Sequence, residues 1–217
     1  MEIGPALHTE RGFDRLVNFS DAVVAIAITL LVLPITDVAS KITERTSPAE
    51  LWQEDSGTFW AFVISFVVLA NYWLIHHRMF EAIDAYDGAL TWLNIGWLFS
   101  IVLLPFSTEL IAQVSFANGW GLIYTLNLAA ISAFLTLIGW HVKRHPELQT
   151  PGVSLSQLRM LKSVVYCVFF VVIGLFSLWQ PLWASYSMLL LLPLGIWLGR
   201  WDRGDDSVTG TADQASA

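Results

Sequence analysis

The stretch RLVNFSDAVVAIAITLLVLP, at positions 15–34, joins a polar cluster to a long apolar run. The cluster holds Arg15, Ser20 and Asp21, and only alanine, valine, isoleucine, leucine and one threonine separate Asp21 from Pro34. A run of about 20 mainly apolar residues is long enough to cross a bilayer as a helix. Ionisable groups at the mouth of such a helix cost free energy unless they are paired. The stretch therefore predicts a transmembrane helix whose polar end has partners elsewhere in the chain.

The composition of the whole chain is that of an integral membrane protein. Of its 217 residues, 55% are hydrophobic and 13% are charged, whereas soluble domains carry about 25% charged residues. The net charge of −7 arises from acidic residues concentrated at 37–55 and 202–213. No basic stretch is typical of a nucleic-acid-binding surface. Cys167, the single cysteine, lies in an apolar run and is expected to be a small core residue.

Six segments are apolar over a length that spans a bilayer. Each is expected to be helical because lipid offers no partner for unpaired backbone groups, and they lie at about 16–36, 57–76, 88–112, 119–141, 160–180 and 182–200. The first run lacks a small-residue cleavage pattern, so it is expected to remain as a span. The sequence predicts an all-α integral membrane protein with one six-helix domain over residues 1–201. The polar segment 202–217 is expected to be a disordered cytoplasmic tail.

Lysine and arginine are distributed unequally between the two sides of this predicted bundle. Nine of them fall on the side that holds both termini, and only Lys41 and Arg45 fall on the other. Cytoplasmic loops of membrane proteins carry the excess of basic residues. Both termini are therefore expected in the cytoplasm, in a multi-pass protein of the plasma membrane.

The first helix has two distinct faces when successive residues are rotated by 100°. Thr29, Leu30 and Leu33 fall within about 60° of Ile26, with Phe19, Ala22 and Val23 on the same stripe. Ser20 and Asp21 turn away from that stripe, at about 120° and 220°. The stripe is compatible with ordinary lipid or helix packing. The polar group is compatible with a cap at the helix start.

The second predicted helix ends in NYWLIHHRMFEAID, at positions 71–84. Trp73, His76 and His77 gather near the same membrane boundary as Asp21, where ionisable groups are usually paired. Asp21 is expected to pair with Arg15 or with one histidine. Adjacent histidines cannot share one helix face, so only one of them should face the first helix. The alternative is that this group simply extends to the interface.

The pattern Arg15-x-x-x-Phe19-Ser20-Asp21 before an apolar helix resembles the signature of the transmembrane protein 175 family of potassium channels. The stretch Trp73-x-x-His76-His77 is similar to the aromatic-histidine pattern of that family's second helix. Prokaryotic members have six helices per subunit and assemble as homotetramers. The length of this chain and its predicted helix count match that layout.

The resemblance implies a pore on the symmetry axis that is lined by the first helix. Its constriction would consist of side-chain rings rather than backbone carbonyls, formed by Ile26, Thr29, Leu30 and Leu33. A supporting network would bind neighbouring helices rather than ions, through Arg15, Phe19, Ser20, Asp21, Trp73, His76 and His77. Ala25 is a departure, because some relatives carry a hydroxyl there. Potassium in transit is the only ligand expected, without a cofactor or a resident metal.

A constriction of aliphatic side chains favours potassium because potassium holds its hydration shell less tightly than sodium. The chain contains no TVGYG-like loop, which excludes an ordinary potassium-channel filter. The expected function is passive conduction of potassium over sodium. The polar segment that contains Asp37 is a candidate for concentrating cations at the outer mouth, or for simple solvation.

Three other classes of function remain open on the sequence alone. One is a secondary transporter, since Pro105 and Pro193 interrupt two predicted spans and Glu109 follows Pro105, although these residues do not lie in matched halves. A proton-conducting membrane protein is kept open beside it. An enzyme is not expected, because no Ser-His-Asp order is legible and metal spacing is lacking among His76, His77, His141 and His145. A purely structural membrane protein is the third class.

Overall fold

The computed structural model describes residues 10–43, 46–114, 117–151 and 157–187. Each of the longer elements in these ranges is a helix: α1 Glu10–Leu30, α2 Leu33–Ser40, α3 Pro48–Phe80, α4 Gly88–Val114, α5 Trp120–Arg144, α6 Gln157–Ser177 and α7 Pro181–Ser187. Single turns of 3₁₀ helix at Ala117–Gly119 and Pro146–Leu148 follow α4 and α5.

Four helical segments are long and apolar enough to cross a membrane, so the chain is an all-helical membrane protein. They are Arg11–Ser40, Pro48–Phe80, Gly88–Val114 and Trp120–Arg144. α6 corresponds to the fifth predicted span. Its apolar part, Ser163–Ser177, is shorter than the four spans above. α7 begins the sixth, whose remainder lies outside the described residues together with Pro193 and the tail. The count of six spans therefore stays a prediction.

The second long helix begins before its apolar run, because a local signal starts it. The backbone N–H of Glu50 donates to the Ser47 hydroxyl, and the backbone N–H of Ser47 donates to the Glu50 carboxylate. This reciprocal pair is a capping box, and Pro48 occupies the first turn, where its missing N–H costs nothing. The polar segment between the first two predicted spans is therefore helical from Pro48 onward, as it also is up to Ser40 in α2.

The first helix also begins early, at Glu10. Ser20 and Asp21 consequently lie in the interior of α1 and cannot cap its start. At the other end α1 stops at Leu30, and α2 resumes the same rod from Leu33. Pro34 lies in the first turn of α2, where its ring has no N–H to offer the preceding turn.

α5 lies at the centre of the bundle, between α4 and α6, and α4 in turn packs on α1 and α3. Glycine permits two of the closest approaches. A Cβ on Gly96 of α4 would overlap the ring of Phe134 on α5, and a Cβ on Gly174 of α6 would overlap the hydroxyl of Thr125. Small residues of this kind let membrane helices approach closely.

A second set of contacts ties the loops together where α1 begins and α5 ends. We call this region the basic end, because it holds Arg11, Arg15, Arg78, Lys143 and Arg144. Asp87 accepts a hydrogen bond from the backbone N–H of Leu90, at 2.7 Å, and so caps α4. Its other oxygen lies 2.9 Å from Nε2 of His141, on α5.

The acidity of Asp87 reflects this environment. Partial burial raises the pKa of its carboxyl, but the hydrogen bonds from Leu90 and His141 and the charges of His141 and His145 outweigh that effect. The net result is a pKa below the ordinary aspartate value. Asp87 is therefore an ionised link between the start of α4 and the end of α5.

Candidate functional site

The two faces of α1 differ in what they contact. Val24, Ala27 and Leu31 are almost fully buried against the rest of the subunit. Ile26 and Leu33 face away from it and are 61% and 53% exposed. The helix therefore presents an aliphatic stripe that no other described part of the subunit covers.

The four residues predicted to line a pore all lie on this stripe. Leu30 is 40% exposed, and Thr29 is exposed beside it. The Thr29 hydroxyl donates to the carbonyl oxygen of Ile26 at 2.7 Å, which leaves its oxygen able to accept from the exposed side. Phe19, 58% exposed, continues the stripe toward the basic end.

A group of buried hydrogen bonds lies on the buried side of α1, about a third of a turn from the stripe. Ser20 donates to the carbonyl of Leu16 at 2.8 Å and accepts from the Asn94 amide at 2.8 Å. The Asn94 oxygen lies 2.8 Å from Nε2 of His76. Since Asn94 uses its amide nitrogen on Ser20, Nε2 of His76 must carry the proton and donate. These hydrogen bonds join α3, α4 and α1. Each one donates toward α1: His76 to Asn94, Asn94 to Ser20, and Ser20 to the Leu16 carbonyl.

His76 is held in place by aromatic rings as well as by Asn94. Its ring is 1% exposed and is stacked on Trp97 at 3.9 Å and on Phe80 at 4.1 Å between centroids. Such contacts fix the plane of the imidazole and exclude water from it. His76, rather than His77, is the histidine that is linked to the first helix, and the link runs through Asn94 to Ser20.

Asp21 binds a different partner from those that the sequence suggested. Nε1 of Trp73 donates to its carboxylate at 2.9 Å, and the Trp73 ring stacks on His77 at 5.3 Å. His77 in turn lies 3.5 Å from the Glu81 carboxylate, near solvent. Asp21 is thus bonded to an indole rather than to Arg15 or a histidine. Arg15 itself is exposed.

Asn94 belongs to this network although no sequence motif points to it. It lies inside the apolar run 88–112, where a polar side chain is expensive unless it is paired. A polar side chain in an apolar run was therefore the sequence signal that Asn94 has a buried partner. Its partner could not be chosen from the sequence, because the choice depends on how α4 is rotated against α1.

Two further polar clusters hold the other helices together. Thr108 donates to Ser65 at 2.9 Å, and the Ser65 hydroxyl lies 2.9 Å from that of Tyr124, so this cluster joins α4, α3 and α5. The Tyr72 hydroxyl donates to the carbonyl of Leu128 at 3.1 Å. In contrast, the described side-chain hydrogen bonds of α1 and α2 beyond Asp21 all remain within their own helix, at Thr29, Thr36 and Ser40.

In the part of the chain that the structure describes, no cluster of three or more His, Cys, Asp or Glu is placed to hold a metal ion. The arrangement instead fixes one face of α1 firmly at its basic half and exposes the other face along its length.

Comparisons with known proteins all lead to ion channels. A family model described as the endosomal/lysosomal potassium channel TMEM175 matches residues 15–105. A potassium channel of Streptomyces collinus is 30% identical over 195 residues, which cover 83% of this chain and 90% of that protein. The endosomal/lysosomal proton channel TMEM175 of Rattus norvegicus is 24% identical over 152 residues, which cover 68% of this chain but 29% of that protein.

The fold has a solved counterpart. The crystal structure of a lysosomal potassium-selective channel TMEM175 homolog from Chamaesiphon minutus superposes with a TM-score of 0.65 and 24% identity, over 87% of this chain and 97% of that chain. The family match begins at Arg15, the first residue of the motif at the start of the apolar run. Together with the alignment to nearly the whole bacterial relative, it shows that this chain belongs to the TMEM175 family of ion channels.

Proposed function

We propose that this chain is the subunit of a channel that passively conducts potassium in preference to sodium. In this proposal a homotetramer in the plasma membrane places the exposed stripe of α1 around a central axis. Both termini face the cytoplasm. The bacterial relative is named a potassium channel, and the motif that begins the family match leads directly into the stripe.

The observation that carries the proposal is the contrast between the two sides of α1. Ile26 is 61% exposed, whereas Ala27, its neighbour, is 1% exposed. The buried side is joined to α4 and α3 by Ser20 and Asp21, so the exposed side has a fixed direction. A stripe of branched aliphatics on a helix held in this way is suited to form a narrow ring with copies of itself.

The physical basis of selection is dehydration. An aliphatic ring formed by Ile26 offers no ligands, so a cation must pass it with part of its water removed. The cost is lower for potassium than for sodium, and such a ring is also able to close the pore by dewetting. Thr29 supplies a ring of hydroxyl oxygens one turn further along. Exposed Asp37 on α2 adds negative charge at the outer mouth in this arrangement.

The test is flux in liposomes that contain the purified protein, with potassium or sodium as the only permeant cation. We expect Ile26→Ala to raise the flux and weaken the preference for potassium. Val172→Ala is the matched control, because Val172 is an aliphatic residue of α6 that is 57% exposed and lies far from the stripe in sequence. Absence of potassium flux from the correctly assembled parent contradicts the channel. If Ile26→Ala has the same flux and the same preference for potassium as the parent, only the placement of the α1 stripe around the pore is contradicted.

Proton conduction is the second candidate, since the vertebrate relative is named a proton channel. The same liposomes distinguish the two. A pH-sensitive dye inside them reports proton entry when a potassium gradient is imposed without a protonophore. In a second experiment potassium is replaced by an impermeant cation and a pH gradient is imposed. Acidification that still occurs, and that depends on the protein, supports proton conduction.

A further inference from the structure

The backbone between α1 and α2 does not keep the hydrogen bonds of a continuous helix. The Val32 N–H donates to the carbonyl of Thr29 at 3.3 Å, a contact three residues back. The N–H groups of Ile35 and Thr36 both donate to the carbonyl of Val32, at 3.0 and 3.1 Å. An unbroken α-helix would instead pair Ile35 with Leu31.

Two carbonyl oxygens are released by this arrangement. The residue four positions after Leu30 is Pro34, which has no N–H to give. The corresponding donor for Leu31 is Ile35, which is used on Val32. The nearby hydroxyls of Thr29 and Thr36 donate to the carbonyls of Ile26 and Leu33. Among the residues that the structure describes, no donor therefore reaches the Leu30 or Leu31 carbonyl.

The two released carbonyls lie at the depth of the membrane, which limits what can surround them. They lie inside the apolar run 16–36, where a backbone group without a partner is strongly disfavoured in lipid. Irregular backbone is tolerated at that depth only where it is buried in protein or lines a water-filled cavity. The adjoining side chains of Leu30, Val32 and Leu33 are 40%, 41% and 53% exposed, so this turn borders the exposed stripe.

The chemistry of the turn suits a cation. Carbonyl oxygens at the end of a helix carry the negative end of its dipole. Unwound carbonyls and helix C-termini within membrane proteins coordinate monovalent cations. The turn lies immediately beyond Ile26 and Thr29 along the stripe, so a cation bound there would wait beside the aliphatic ring.

We propose that the Leu30–Leu31 turn forms a binding site for a partly hydrated monovalent cation, with the two released carbonyls as ligands. This inference rests on the proposed function, because copies of the turn around the axis complete the ligand set. Pro34 is then a positioning residue, since it keeps the Leu30 carbonyl free. Hydrophobic side chains set the barrier, and the backbone just past them sets where the ion pauses.

Rubidium is the probe, because it replaces potassium and scatters anomalously. Crystals of the full chain soaked in rubidium chloride are compared for the parent, Pro34→Ala and Pro105→Ala. The Pro34→Ala substitution restores a backbone N–H that is able to donate to Leu30. Pro105 lies inside α4, so its replacement restores a helical donor without touching α1.

We expect an anomalous peak within contact distance of the Leu30 carbonyl in the parent and in Pro105→Ala. In Pro34→Ala we expect rubidium to bind at least about fivefold more weakly, the loss of roughly one carbonyl contact. A parent that conducts potassium but shows only water at the turn overturns this inference and leaves the channel intact. The same is true of a peak that is unchanged in Pro34→Ala. A parent without cation flux contradicts the proposed function itself.

Discussion

The Asn94 amide donates to the Ser20 hydroxyl at 2.8 Å while its oxygen accepts from His76. One side chain about two turns into α4 thereby fixes both the rotation of α1 and the position of α3. Because the bond lies on the buried side of α1, it determines that Ile26 and Leu33 point the other way. The direction of the exposed stripe is thus set by a polar contact about a third of a turn away from it around the helix.

Asn94→Leu should destabilise the fold, because it leaves the buried Nε2–H of His76 without an acceptor. An unsatisfied buried donor costs about 1–3 kcal/mol. The thermal midpoint in detergent measures the loss. Ser20→Ala should cost less in the Asn94→Leu background than in the parent, since the two residues share one bond. Strict additivity of the two substitutions would show that this bond does not couple α1 to α4.

The sequence was sufficient to identify the four long spans, the stripe on α1 and the residue types of the network. It was not sufficient to pair them. The partner of Asp21 depends on the rotation of α3, which turns Trp73 rather than a histidine toward it. The early start of α3 depends on Ser47 and Glu50, which form a local capping signal ahead of the apolar run. The rotation of a helix about its own axis is set by its contacts with other helices, so the periodicity of its sequence alone does not determine it.

Trp73→Phe should weaken the anchor of α1 while keeping an aromatic ring beside His77. Its cost should be about 1.5–3 kcal/mol, the range for a hydrogen bond to a charged group, because Asp21 loses the indole donor. Trp92→Phe is the matched control, since Trp92 lies on α4 and is 73% exposed. Equal thermal midpoints for the two variants would contradict a stabilising role for the Asp21 contact.

Gly96→Ala should destabilise the contact between α4 and α5. The added methyl group would overlap the Phe134 ring, and overpacking of this kind costs about 1–3 kcal/mol. Gly57→Ala, in α3, is the control because a Cβ there meets nothing within 4 Å. Alanine is the better helix former by up to about 1 kcal/mol, so this control should be neutral or stabilising. If both substitutions destabilise the protein, overlap with Phe134 is not the reason for the effect of Gly96→Ala.

The Asp87 carboxyl should make stability depend on acid pH. Its pKa is lowered in the folded state, so its contribution is fully present above the unfolded value of about 3.9. That contribution is lost as the pH falls through the lower folded value. Asp87→Asn retains a good helix cap but removes the charge opposite His141. We expect the variant to melt below the parent at neutral pH, with the gap closing as the pH falls below the unfolded value and through the lower folded one.

Thr29→Val should reduce the preference for potassium with little change in fold. The Thr29 hydroxyl donates to Ile26 within its own helix, so its oxygen remains the polar group that the stripe offers to a passing ion. Valine keeps the branched shape and removes that oxygen. One neutral contact is worth about 1 kcal/mol, a factor of about five in a ratio of fluxes. Thr29→Ser restores the hydroxyl and should recover most of the preference. The readout is the ratio of potassium to sodium flux in liposomes at matched protein content. If Thr29→Val retains the ratio of the parent while Ile26→Ala loses it, dehydration at the aliphatic ring is sufficient for selection and the hydroxyl layer contributes nothing.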